Sequence, residues 1–319
     1  MTNNSQPSNA SPLAGKVAVV GAGLMGAEIG VGYAIAGFEV SLYSRTTATA
    51  ADCTARTAAS LANLTRSEVV TVGIADSASG RLTTTTSLAS ACLDAAIIVE
   101  SVAEDFEAKV DVLRSIAEAN AEAIVASNTS SLSISKLADS SGLGRRLIGT
   151  HYWNPPTLMP LVEVVAGAST DPAVVDQTLV TLRRMGKEPV LVPDIPGFVW
   201  NRLQFALLRE AIGLVQHHGV NPATIDVIVR RGLGRRWSLL GPFETAALGG
   251  PETFAAVAKG LFPELENDDV DPGILLALAA PTAQQRHAIV ARRNAGLARH
   301  LLARTEPTEP EPAGTGDIQ

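Results

Sequence analysis

The chain has 319 residues, 46% hydrophobic and 18% charged, a balance typical of a globular enzyme and a length that allows two domains. Its formal charge of −7 argues against nucleic acid as a partner. Cys53 and Cys92 lie far apart in no metal or redox motif, and read as small buried hydrophobes in a reducing, cytoplasmic compartment.

No apolar run is long enough to span a membrane. Residues 1–12 are polar and lack the apolar core of a secretory leader, and the tail at 305–319 is rich in proline and acid. Both segments are expected to be disordered. Between them a dinucleotide-binding domain is expected over 13–193 and a helical domain over 194–304.

The first elements predict a phosphate-binding unit. "KVAVV" at 16–20 is a short apolar, β-branched run and reads as a buried strand. Gly21, Gly23 and Gly26 follow in G-x-G-x-x-G spacing, with Leu24 and Met25 between the last two. A small-residue helix then runs to about Ala36, Gly37 ends it, and "EVSLY" predicts a second strand. This is the setting in which the glycine spacing binds a dinucleotide. Gly21 permits the tight turn, Gly23 lets a pyrophosphate approach the helix N-terminus, and Gly26 lets helix and strand pack closely. The competing reading is a glycine-rich turn with no cofactor.

The end of the second strand departs from the usual pattern. An acid normally stands there to hold the ribose 2′-hydroxyl, but this chain has Ser44, Arg45 and Thr46. With no carboxylate to repel it, a 2′-phosphate fits, and Arg45 can pair with it. NADP(H) is therefore the expected cofactor, with NAD(H) the alternative.

Further βα units follow. "AAIIVESVAED" predicts a strand with Glu100 and Glu104 at its carboxyl end, and "EAKVDVLRSIAEAN" an amphipathic helix. "EAIVASNTSS" predicts a strand ending in Ser127, Asn128, Thr129 and Ser130. Open α/β sheets bind ligands at these ends, so the polar residues are site candidates, with capping of the next helix as the competing role.

"RLIGTHYW" is again strand-like and ends near His151; a proline-rich turn follows, and "LVEVV" returns as a strand with Glu163 on an apolar face. A buried carboxylate is costly unless paired, and His151 can be the partner. A carboxylate on an imidazole fixes its tautomer and stabilises the imidazolium, which suits a general acid/base for a carbonyl–alcohol pair. A purely structural His–Glu hydrogen bond is the competing reading.

"GAGLMG", "SNTSSL", "HYWNPP", "PLVEVV", "PGFVWNRL" and "GPFE" occur in the order and spacing of the L-3-hydroxyacyl-CoA dehydrogenase family, over roughly residues 15–250. The resemblance implies an α/β Rossmann-type doubly wound sheet followed by an all-helical C-terminal domain that forms a homodimer. It places the catalytic dyad at His151 and Glu163 and the substrate-contacting residues at Ser130 and Asn201. It places cofactor contacts at Glu104 and Lys109, and Asn128 falls in the same "SNTSS" segment. "NRLQFALLREA" and "GLGRRWSLLGPFET" resemble the λ-crystallin and L-gulonate 3-dehydrogenase-like branch, which oxidises free hydroxy acids, although "SNTSSL" and "PLVEVV" suit the acyl-CoA branch equally well.

Within that branch the resemblance places Arg236 on a substrate carboxylate; an exposed basic helix end is the competing reading. The implied reaction is reduction of a 3-oxo acid or 3-oxoacyl substrate to its (S)-3-hydroxy product, as by a ketoreductase of natural-product, polyketide-type biosynthesis. A 3-hydroxyacyl-CoA dehydrogenase of primary metabolism and a non-catalytic, crystallin-like protein remain open. The adjacent His217 and His218 face different sides of a helix and form no metal site.

Overall fold

The computed structural model describes residues 15–267, 270–278 and 281–303. The terminal segments expected to be disordered, 1–12 and 305–319, lie outside the described residues. Residues to Val199 together with those from His287 form one compact unit, and Trp200–Arg286 form a second.

The first unit carries eight strands: β1 (Lys16–Val20), β2 (Glu39–Tyr43), β3 (Leu82–Thr85), β4 (Ala95–Glu100), β5 (Ile124–Ser127), β6 (Leu147–Tyr152), β7 (Leu161–Ala166) and β8 (Glu188–Val192). Its helices are α1 (Leu24–Ile35), α2 (Thr47–Arg66), α3 (Val72–Gly80), α4 (Leu88–Cys92), α5 (Phe106–Ala119), α6 (Ile134–Ser141) and α7 (Pro172–Arg184). The second unit holds α8 (Trp200–Gln216), α9 (Pro222–Ile228), α10 (Gly234–Trp237), α11 (Pro242–Gly249), α12 (Pro251–Leu261) and α13 (Leu275–Leu278). A final helix, α14 (Ala283–Ala303), begins in the second unit and runs into the first.

The strand order is β3-β2-β1-β4-β5-β6-β7-β8, and neighbours are parallel except β6 and β7. The chain winds outward through β2 and β3, then returns to place β4 beside β1. That reversal opens a crevice at the carboxyl ends of β1 and β4. Alternation along β1 puts Val17 and Val19 in the apolar layer with α1, α2, α3 and α7, and Ala18 and Val20 in the layer with α4, α5 and α6. Covered on both faces, the central strands read as continuous apolar runs, as parallel strands do.

Two strands fall outside the sequence expectation, because neither carries an uninterrupted apolar run. β3 reads "LTTT" at one edge of the sheet, and β8 opens "EPV" at the other. The proline is tolerated there because an edge strand has one unpaired side. The last helix ends at Ala303, as expected near 304, but its residues from His287 group with the first unit and not with the helical domain expected over 194–304. Ala298 of α14, with Leu297 and Leu301, packs into the first unit's core, so α14 supplies an apolar stripe to the nucleotide-binding unit.

The chain leaves the first unit through "VPDIPGFV". Asp194 fixes this segment, accepting from the Ser133 hydroxyl at 2.9 Å, Ile134 N at 3.0 Å, Ser135 N at 2.9 Å and the Ser135 hydroxyl at 2.7 Å. Burial works to raise its carboxyl pKa, but the bonds from Ser135, Ile134 and Ser133 outweigh that and hold it below the ordinary value. A depressed carboxyl stabilises the fold above its unfolded pKa, and the contribution is lost as pH falls through and below that range. Asp194→Ala should lower unfolding stability by about 2–3 kcal/mol near neutral pH. In chemical denaturation the gap from wild type should shrink as the buffer is taken well into the acid range.

Candidate active site

The glycine turn follows from its geometry. Gly21 has φ of +106°, and a Cβ there would stand 2.5 Å from the Ser101 carbonyl oxygen. A Cβ on Gly26 would stand 2.0 Å from the Gly21 carbonyl oxygen, so the helix can approach the strand only with glycine there. A Cβ on Gly23 would meet nothing within 4 Å, which leaves open space at the N-terminus of α1. Room and helix N–H groups together fit a pyrophosphate.

A cavity of about 490 Å³ lies beside this turn, lined in part by Gly21, Gly23, Ser44, Arg45, Asp52 and Arg56. Ser44 is buried, and its hydroxyl has no hydrogen-bond partner among the described residues. A buried hydroxyl left unpaired is costly unless a ligand completes it. Arg56, which the sequence reading passed over as a cofactor contact, projects from α2 with Nη1 3.4 Å from the Ala22 carbonyl oxygen. The signal was available, since Thr49, Asp52 and Arg56 fall at helical spacing on one face of α2.

The antiparallel β6–β7 pair sets His151 directly opposite Glu163. Nδ1 of His151 lies 2.8 Å from Oε2 of Glu163, and both side chains are buried. A carboxylate accepts only, so this bond assigns the proton to Nδ1 and leaves Nε2 to take or deliver a proton. Glu163 Oε1 accepts from the Val199 amide at 3.1 Å, and the Phe198 ring lies 5.7 Å from the imidazole.

The loop after β5 is held from below. Glu104 Oε1 accepts from the Thr129 hydroxyl at 2.7 Å, Ser130 N at 2.8 Å, Ser131 N at 3.0 Å and the Ser131 hydroxyl at 3.1 Å. Burial works against its charge, yet these bonds and the nearby Lys109 ammonium leave its pKa below the ordinary carboxylate value. Lys109 is itself fully buried, with Nζ 2.8 Å from Glu100, 3.5 Å from Glu104 and 3.3 Å from the Val102 carbonyl. Glu100 also accepts from the Ser127 hydroxyl at 2.6 Å and Val102 N at 2.7 Å, so this buried charge has the extra bonds that offset desolvation.

The residues expected from sequence are thus brought together unevenly. Gly21, Gly23, Ser44 and Arg45 share the cavity. Met25 packs on the apolar core, Leu24 is exposed at the start of α1, and the Thr46 hydroxyl caps α2 at Thr49 N. Asn128 accepts from Tyr152 N at 3.0 Å and donates to the Ser101 hydroxyl at 3.2 Å, tying three strand ends together. Lys109 stands beneath the surface and acts on the Ser130 loop through Glu104. Asn201 lies in the first turn of α8 and Arg236 in α10, both in the second unit.

Residues 16–195 match the NAD-binding domain of 3-hydroxyacyl-CoA dehydrogenase, and residues 197–285 match its C-terminal domain. The chain belongs to the 3-hydroxyacyl-CoA dehydrogenase family. It shares the family's chemistry, NAD-dependent oxidoreduction at a CH–OH group. It is 34% identical to 5-formyl-3-hydroxy-2-methylpyridine 4-carboxylate 5-dehydrogenase of Mesorhizobium japonicum, over 81% of this chain and 84% of that one. It is 35% identical to λ-crystallin of Oryctolagus cuniculus, over 75% and 76%. The solved structure of a 5-formyl-3-hydroxy-2-methylpyridine 4-carboxylic acid 5-dehydrogenase, an NAD⁺-dependent dismutase, superposes with a TM-score of 0.83 at 28% identity, covering 93% of this chain and all of that one.

In this family member the dyad is expected to move the proton. His151→Gln should lower kcat by roughly 10²–10⁴-fold with cofactor binding near normal. Glu163→Gln removes the carboxylate that holds Nδ1–H toward it and should lower kcat as well, with cofactor binding near normal. Steady-state kinetics and cofactor titration of the two variants check both statements.

Proposed function

We propose that the protein reduces a 3-oxo acid to its (S)-3-hydroxy product with NADPH, as a ketoreductase of polyketide-type biosynthesis in the cytoplasm. The observation that carries the reading is the buried 2.8 Å contact between His151 Nδ1 and Glu163 Oε2. It leaves Nε2 as the atom that delivers a proton to the reacting oxygen, while Ser130 orients that oxygen. The bound nicotinamide supplies the hydride.

The cofactor preference is supported by the unpartnered Ser44 hydroxyl and by Arg45 and Arg56 on one cavity wall. Asp52 lines the same cavity, but two guanidinium groups and a hydroxyl outnumber it and suit a 2′-phosphate. Wild-type enzyme should then have the higher kcat/KM with NADPH, and Ser44→Asp with Arg45→Ala should reverse the order, by about tenfold or more in the ratio. Equal use of both cofactors by the wild type refutes the preference.

A free acid is favoured over a CoA thioester because the segment after β2 has no basic cluster. Arg66 is bonded to Asn63 at 2.8 Å and Arg81 to Ser77 at 2.8 Å, and Arg56 faces the glycine turn. The Mesorhizobium relative is named for a substrate that carries a carboxylate. Arg236 is our choice for the carboxylate partner. It follows a π-helical turn, Val229–Leu233, is exposed, and has no ion pair among the described residues, whereas Arg230 is paired with Asp226 at 3.0 Å. Such turns recur at functional sites.

Arg236→Ala should raise KM for a free 3-oxo acid about tenfold or more and leave KM for NADPH unchanged. The assay is NADPH oxidation with free 3-oxo acids and with acetoacetyl-CoA. Efficient turnover of the thioester alone would instead assign the acyl-CoA reaction of primary metabolism, and no turnover with any substrate would assign a non-catalytic role.

A homodimer through the helical unit completes the reading. Among that unit's described residues only Ile212 and Gly213 are buried, while Leu239, Phe243, Leu248 and Phe262 are strongly exposed. Apolar surface on that scale marks an interface, and a second copy is the partner we assign to it.

A further inference from the structure

Where the chain leaves the first unit it passes within contact distance of both members of the His151–Glu163 pair. Phe198 is fully buried in the apolar layer of α4, α5 and α6, yet its backbone has φ of +50°. That left-handed conformation is unfavourable for a non-glycine residue and persists only where its surroundings demand it. The surroundings here are specific. Asp194 is pinned to the N-terminus of α6 by the four bonds described above. Ile195 N then bonds the Pro193 carbonyl and Phe198 N bonds the Ile195 carbonyl, both at 2.9 Å. Gly197, with φ of +75°, and Phe198 turn the backbone so that the next amide, Val199 N–H, reaches Glu163 Oε1 at 3.1 Å.

The same turn puts the Phe198 ring 5.7 Å from the imidazole at an interplanar angle of 57°. One residue therefore does two things. Its backbone directs an amide at the carboxylate oxygen that His151 does not use, and its ring closes the apolar side of the imidazole.

We propose that Phe198, with the Val199 amide, is a positioning element of the catalytic pair, holding Glu163 in the rotamer that faces His151 Nδ1 and excluding water from the bond between them. It touches neither substrate nor cofactor in this role and acts through His151. The inference rests on the reading of His151 as the acid/base, and its test separates the two.

Proton NMR of the wild-type protein should show a downfield imidazole N–H resonance that Glu163→Gln abolishes. Phe198→Leu keeps a buried apolar side chain but removes the ring. It should lose or broaden the resonance and lower kcat by about ten- to a hundredfold, as small misplacements of a catalytic group do, with KM for the cofactor unchanged. Phe198→Met likewise keeps a buried apolar side chain without the ring, should be impaired in the same way, and serves if Phe198→Leu fails to fold. Full kcat and an intact resonance in folded Phe198→Leu or Phe198→Met would overturn the proposal. If instead His151→Gln were fully active, the acid/base reading would fall, while the resonance would still decide whether Phe198 holds the pair.

Discussion

Glu163 is a carboxylate inside a strand whose other central residues are valines, and it is 2% exposed. An isolated charge in that position would cost several kcal/mol, and the donors that offset it include His151 Nδ1 and the Val199 amide. This pairing constrains the sheet around it. A parallel neighbour needs a crossover of a dozen residues or more, which the loop between β6 and β7 does not supply. A short proline-rich turn instead returns the chain antiparallel, and the register then places residues 151 and 163 opposite one another on the same face. The one antiparallel pairing among the described strands is the one that sets His151 against Glu163.

The other end of the site depends on the reversal of strand order between β1 and β4. The glycine turn passes under Ser101 so closely that a Cβ at Gly21 would collide with it. At the carboxyl end of β4 the chain carries Glu100 into the buried ion pair with Lys109 and Glu104 onto the Ser130 loop. The glycine turn and the Ser130 loop are therefore set by one strand end. Lys109 makes that arrangement rigid, because a fully buried ammonium with three oxygen partners cannot move without losing them.

The second unit is built on a different balance. Among its described residues the helices leave much apolar surface exposed, with only Ile212 and Gly213 buried. The first unit takes back the end of α14, whose Leu297, Ala298 and Leu301 complete its core. Such a chain is cooperative by construction, since the nucleotide-binding unit needs a helix that lies beyond the second unit in sequence.

Much of the site was legible in the sequence because its determinants are local. Glycine spacing after a strand, a serine and an arginine where an acid is usual, and a glutamate out of place in an apolar strand are read from neighbours within a few residues. The partnership of His151 with Glu163 was equally open, since a hairpin joins them. The tertiary structure alone decided the rest. Arg56 reaches the cofactor crevice only because α2 lies across the glycine turn. Lys109, a charged residue on an amphipathic helix, is buried because two carboxylates wait at the end of β4. Phe198 looks in the sequence like one more apolar residue after a proline and a glycine. Only the fold brings the chain's exit from the first unit against β6 and β7, and with it the ring and amide that hold the pair, because contacts between segments distant in sequence are set by packing and not by local pattern.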